Sequence, residues 1–370
     1  YISMGGIWGL GILGIPTIVE SIENNLRFNM DPVIHTRLNK ADKSQQFKGY
    51  YDTMLAGNNL LSTPLDDLEK KKPNDWKQLH TLGAIVRNDG LLGKSLKPNL
   101  DLEFKRARFE TNSFGLRDRP VEKVAHYETL RMALLGGSIE MGSGVTTEQT
   151  FDNLVEDELT RIGVFASYKE VEIVNFAVPG THMPQHIARL DQVVPDFSPD
   201  VVVYTAHSDE IRRITNTLYK VYSNLPRVEY EYVNDFFTDL DIPRLSDEGT
   251  FKRAASPKIF EFVEWGLQHI KETTEQMNAI PVWMFVPALD GGYNREEELR
   301  LAELARDCGF YILDLHGYMD DAELNDITLE VWDAHPNARG HELIAEKMIE
   351  QIRSNTELVS VINARRASPK

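Results

Sequence analysis

Five short apolar runs, separated by amphipathic stretches, constrain this chain more than any other feature. They cover residues 132–135, 171–177, 201–205, 282–286 and 311–315. Each is rich in Val, Ile or aromatic residues and has the length of a strand. None shows the apolar/polar alternation of a strand with one wet face, so each is expected to be buried on both. Helical periodicity marks the segments 148–162, 183–194, 257–277, 295–308 and 337–352. Buried strands that alternate with helices predict a parallel sheet covered on both sides, so the expected fold class is three-layer α/β/α. Residues 215–256 break the rhythm with Pro226, Tyr230, Tyr232, Phe236, Phe237 and Pro243. That stretch reads as an insertion over the sheet edge, a lid or a partner surface.

The N-terminal side has a different character. Residues 1–19 carry no charge, and as a helix they would rise roughly 28 Å, close to the hydrocarbon thickness of a bilayer. Gly5 and Gly9 have the four-residue spacing that lets membrane helices approach closely. We therefore expect a transmembrane helix over 1–19 and a polar connecting region over 20–105. The α/β domain follows over 106–358 and a tail over 359–370. Forty basic against 57 acidic side chains give a net charge of −17, which repels a phosphate backbone and argues against nucleic-acid binding. Arg212 and Arg213 form the one basic pair near the candidate site and read as helix-surface charges. A single cysteine, Cys308, excludes an intrachain disulfide and a cysteine-rich zinc site.

In an open α/β sheet, reactive groups gather at the carboxyl ends of the strands. Gly136-Gly137-Ser138-Ile139-Glu140 follows the first strand, and Asn175-Phe176-Ala177-Val178-Pro179-Gly180-Thr181 follows the second. Ala206-His207-Ser208-Asp209-Glu210 follows the third, and Asp333-Ala334-His335-Pro336 precedes the last helix. The glycines around Ser138 lack the Gly-Lys-Ser/Thr ending of a phosphate loop and the Gly-x-Gly-x-x-Gly fingerprint of a dinucleotide fold. Glu140 likewise excludes a Gly-x-Ser-x-Gly elbow. His182 and His186, four apart, have no acidic residue of the metalloprotease type between them and read as a loop or surface pair. His341 reads as a structural hydrogen-bonding residue, and Trp332 as packing.

Over roughly residues 110–355 these four blocks, in this order, resemble the SGNH (GDSL-like) hydrolase family, whose sheet is flavodoxin-like. The resemblance implies that Ser138 is a nucleophile, with His335 as its base and Asp333 orienting the imidazole. It implies an oxyanion hole from the backbone N–H groups of Ser138 and Gly180, with Ser208 at the position where the family places an asparagine. Each such donor is worth about 3–4 kcal/mol in the transition state. Neither a metal nor a cofactor is called for. The chain departs from the family at Gly137, where an aspartate is usual, and at Ala206 and Ser208 in the third block.

Two functions follow as alternatives. One is a serine esterase or O-acyltransferase acting on a small acyl ester, such as O-acetyl on a cell-envelope glycan. The other is a catalytically decayed domain that serves as a structural subunit of a membrane protein complex. Members with this arrangement imply an anchored, extracytoplasmic (periplasmic) location and a membrane-protein partner reached through the N-terminal helix.

Overall fold

The computed structural model describes residues 72–289 and 294–367. The membrane helix expected over 1–19 and most of the polar region after it lie outside the described residues. Among those described, no helix is long and apolar enough to cross a membrane.

Residues 72–110 form two small antiparallel pairs, β1 (Ile85–Arg87) with β2 (Lys94–Leu96) and β3 (Asp101–Phe104) with β4 (Ala107–Glu110). The main domain then runs β5 (Thr129–Leu135), α1 (Phe151–Ile162), β6 (Glu170–Asn175), α2 (Met183–Gln192) and β7 (Val201–His207). Four helices follow: α3 (Glu210–Asn224), α4 (Glu231–Asp239), α5 (Glu248–Ala255) and α6 (Ile259–Gln276). The chain continues with β8 (Ile280–Val286), α7 (Arg295–Asp307), β9 (Tyr311–Asp314) and the short α8 (Leu324–Ile327). It closes with the pair β10 (Thr328–Glu330) and β11 (Asp333–Pro336), then α9 (Ala338–Ser354) and α10 (Thr356–Ala367).

Strands β5 to β9 make one parallel sheet in the order β6-β5-β7-β8-β9. Alternate residues feed two cores. Leu130, Met132 and Leu134 of β5 pack with α1, α9 and α10, whereas Ala133 and Leu135 pack with α2, α3 and α6. This is the expected three-layer α/β/α arrangement, with strands apolar on both faces because both faces are covered. The order reverses at β5, whose chain leaves for β6 on one side and returns to β7 on the other. Crevices open at the carboxyl ends of strands at such a switch point, and Ser138 lies just beyond β5.

Two expectations change. Residues 215–256 do not sit over the sheet edge: Val221, Tyr222, Val233, Phe236 and Phe251 join the core on the α2/α6 face, so α4 and α5 thicken that layer. Of the aromatic residues that broke the strand-helix rhythm, Phe236 is buried there, and Tyr230, Tyr232 and Phe237 pack against it partly buried. Residues 359–367 are not a tail, because α10 buries Leu358 and Ile362, one helical turn apart, against the opposite face.

The first two antiparallel pairs pack on the carboxyl end of the sheet. Their core of Leu79, Ala84, Leu96, Phe104 and Phe109 is completed by Met141, beyond Ser138, and by Ala177, beyond β6. Residues read as a polar connector are therefore a cap resting on the candidate site.

Replacing Ile362 with Ala is expected to cost about 2–5 kcal/mol in a urea titration, as a buried aliphatic deletion does. A change within about 0.5 kcal/mol, the usual surface value, would show that this segment is a tail after all.

Candidate active site

The sheet brings Ser138, His335 and Asp333 together. Ser138 begins the turn after β5, and the other two alternate along β11, so Asp333 and His335 project to the same side. His335 Nε2 lies 2.8 Å from Ser138 Oγ, and His335 Nδ1 lies 2.5 Å from Asp333 Oδ1. With the carboxylate fixing the proton on Nδ1, Nε2 presents its lone pair to the serine hydroxyl. His335 and Asp333 are almost wholly buried.

A third charged group completes this chain. Lys105 Nζ lies 2.6 Å from Asp333 Oδ2, 3.0 Å from Ser143 Oγ and 3.2 Å from His335 Nδ1. Trp76 Nε1 donates to the same Asp333 oxygen at 2.7 Å. Lys105 is only 5% exposed. It and Arg106 form the tip of the β3–β4 hairpin with φ of 51° and 65°. Tight hairpins require that left-handed pair, which non-glycine residues adopt at a cost of order 1–3 kcal/mol each. Arg106 holds the tip down by bonding Glu330 of β10 at 2.8 Å.

These contacts set the protonation states. Burial pushes Asp333 upward, but Lys105 and then His335 outweigh it and hold the carboxyl well below its usual range. Burial and the Lys105 ammonium lower His335, against the pull of Asp333, so the imidazole stays a neutral base to lower pH than an exposed histidine. Burial also lowers Lys105, and Asp333 partly restores it.

On the opposite side of Ser138, the N–H groups of Ser138 and Gly180 donate to no group among the described residues. Gly180 has a φ of 65°, a conformation that favours glycine. Ser208, expected as a third oxyanion donor, is elsewhere. Its hydroxyl donates to Glu298 at 3.0 Å and accepts the Ala288 N–H at 3.4 Å, and it does not line the cavity. Its neighbour His207 faces inward instead, but both ring nitrogens are occupied: Nδ1 at 3.0 Å from the Val286 carbonyl and Nε2 at 3.1 Å from Glu140. The Thr181 hydroxyl is spent on the Val178 carbonyl at 2.7 Å.

Glu140 was legible only as a reason to exclude an elbow, yet it organises the loop. Its carboxylate accepts the Gly137 N–H at 2.7 Å and pairs with His207. Burial opposes its ionisation, but His207 and the Gly137 N–H bring it below the usual range, and Glu140 in turn raises His207. The fold-back needs glycine at 136, where a Cβ would come within 2.2 Å of the Glu140 side chain.

Ser138, Gly180 and His335 line a cavity of about 310 Å³, with Lys94, Lys105, His182, His186, Arg213 and Lys220 also in its wall. Three of these are more buried than the sequence suggested. Arg213 is 9% exposed, and His182 and His186 are buried, so none is a surface group. No cluster fit to hold a metal ion occurs among the described residues. His341 is structural, its Nδ1 accepting the Phe151 N–H at the start of α1 at 3.1 Å. Trp332 packs edge-on against Trp76 with ring centres 6.0 Å apart.

No protein-family model matches this sequence, and neither does any curated protein. Among solved structures, the psychrotrophic esterase EstA from Pseudoalteromonas aligns at 15% identity and TM-score 0.41, over 62% of this chain and 99% of its own. An acetylxylan esterase from Geobacillus stearothermophilus aligns at 13% and 0.39, over 60% and 93%. A lipase/acylhydrolase from Enterococcus faecalis aligns at 17% and 0.37, over 60% and 95%. At that level of similarity, this chain's own sheet order and side chains carry the functional argument.

Lys105→Met removes a cation that lowers His335, so the imidazole is expected to titrate at higher pH in an NMR titration. Stability should fall by about 3–5 kcal/mol, the usual cost of stripping one partner from a buried ion pair. An unmoved titration in a folded variant would show that Lys105 does not act on the histidine.

Proposed function

We propose that this chain is a serine ester hydrolase or O-acyltransferase of SGNH type. The observation that carries this reading is Ser138 Oγ at 2.8 Å from a buried, Asp-oriented imidazole at the wall of a cavity. A serine hydroxyl becomes a useful nucleophile only when a base takes its proton as it attacks. His335 Nε2 accepts that proton, and Asp333 stabilises the resulting imidazolium. The Ser138 and Gly180 N–H groups receive the negative charge on the carbonyl oxygen. His335 then returns the proton to the departing alcohol. Water, or a sugar hydroxyl in the transfer reaction, cleaves the acyl-serine ester with the same histidine as base.

The decayed alternative would gain support from a blocked cleft. Of residues 215–256 only Lys220 reaches the cavity wall, so that segment leaves the site open. The lost third-block donor remains a real deficit, since removing one oxyanion donor costs about a hundredfold or more in rate.

The substrate class follows from size and setting. A cavity of about 310 Å³ lies at the small end of ligand sites and suits a short acyl chain on one sugar unit or a similar alcohol. We take O-acetyl on a cell-envelope glycan as the working substrate. The uncharged run over residues 1–19 supports a membrane anchor, an extracytoplasmic domain and a membrane-protein partner.

Purified protein is expected to hydrolyse p-nitrophenyl acetate, with Ser138→Ala and His335→Ala each lowering kcat/KM by about a thousandfold or more. Turnover by the folded protein no faster than the buffer reaction would favour the structural-subunit reading.

A further inference from the structure

The basic side of the cavity has no part in the chemistry above. Lys94 opens β2, and its ammonium would stand 3.2 Å from a Cβ on Gly180, one of the two proposed oxyanion donors. It has no hydrogen-bond or ion-pair partner among the described residues. Lys220 and Arg213, seven residues apart on α3, share one helix face and line the same cavity. His182, 8% exposed, lines it too, and its Nε2 is buried without a partner.

Within the wall Glu210 interacts electrostatically with Arg213, but Lys94 and Lys220 have no ion-pair partner among the described residues. Glu140 is committed to His207 and the Gly137 N–H. Glu210 is bonded to the Tyr204 hydroxyl and the His207 N–H, and burial raises its pKa. Neither carboxylate pairs with Lys94 or Lys220. Burial, then Lys220 and Arg189, lower Lys94 to about 8. Keeping an ammonium beside like charges in a partly dry site is costly unless something of opposite charge arrives. In a chain of net charge −17 the concentration of cations here is not a reflection of overall composition.

We propose that the cleft is built for an ester that carries an anionic group, a carboxylate, phosphate or sulfate seated among Lys94, Lys220, Arg213 and His182 beside Gly180. The inference deepens the esterase reading and rests on it for the ester, but not for the anion. The charge can belong to the acyl group or to the alcohol, and two substrate pairs separate these sources. In one, p-nitrophenyl hydrogen succinate is compared with p-nitrophenyl acetate. In the other, an O-acetylated methyl glucuronoside is compared with the matching acetylated methyl glucoside.

For one pair, kcat/KM of the anionic member should exceed that of the neutral member by about tenfold or more, the scale of one charge-assisted contact. Lys94→Met and the more exposed Lys220→Met should each shrink that ratio, whereas Lys123→Met on the outer surface should not. Ratios near one in both pairs would overturn the proposal. So would equal losses on both members of a pair in Lys94→Met, since that pattern belongs to an oxyanion stabiliser. If no ester is turned over, the anion site is still read directly by calorimetry with glucuronate and with inorganic phosphate on Ser138→Ala. Binding there that weakens about tenfold when Lys94→Met or Lys220→Met is added would sustain the anion site while the esterase reading falls. Absence of binding by either anion would sink the site itself.

Discussion

The buried contact between Lys105 and Asp333 is the constraint on which the rest of the site depends. One partner comes from a hairpin near the start of the described chain, and the other from a strand near its end. At 2.6 Å, with almost no solvent, neither charge tolerates loss of the other. The pair therefore locks the cap formed by residues 72–110 onto the sheet. It also fixes which Asp333 oxygen is left for His335, and so the direction in which the imidazole presents Nε2 to Ser138. The hairpin tip accepts two left-handed non-glycine residues to put Lys105 there. Strain of that kind persists only where surrounding contacts over-determine it, here the Arg106–Glu330 bond and the apolar core under the cap.

The departures from the family pattern acquire a physical meaning in this setting. Gly137 carries no carboxylate, but Glu140 folds back beneath the loop and accepts the Gly137 N–H. Ser208 turns away into a contact with Glu298, and His207 takes the inward position while held by Glu140 and the Val286 carbonyl. The loop that carries Ser138 is thus held by the buried His207–Glu140 pair. Among the described residues Ser208 does not reach the cavity, and the two backbone N–H groups of Ser138 and Gly180 stand open with a cationic wall next to one of them.

Much of the fold was legible because strands covered on both faces announce themselves as unbroken apolar runs. The strands over 201–207 and 280–286 begin or end within two residues of the runs that marked them. Ser138, Gly180, Asp333 and His335 were legible because switch-point topology sends reactive groups to known places. Lys105 and Trp76 were not, because no motif surrounds them and Lys105 precedes His335 by 230 residues. The only hint was the apolar alternation of Leu102, Phe104 and Phe109 around a two-residue tip, the pattern of a hairpin with one buried face. Arg213 was misread because two adjacent arginines on a helix usually face water. Which of them points inward depends on where α3 sits on the sheet, a tertiary fact. Ile362 was missed because α10 has no strand after it to make the rhythm continue.

The central claim is that Ser138 is an activated nucleophile held by the Lys105–Asp333–His335 chain. Intact-protein mass spectrometry after exposure to a fluorophosphonate tests it most directly, since that reagent modifies serines whose hydroxyl is activated by a neighbouring base. The account predicts a single phosphonyl adduct, mapped by peptide sequencing to Ser138 and absent when His335 is replaced by Ala. A folded wild-type protein that gains no mass, or gains it at another residue, would contradict it.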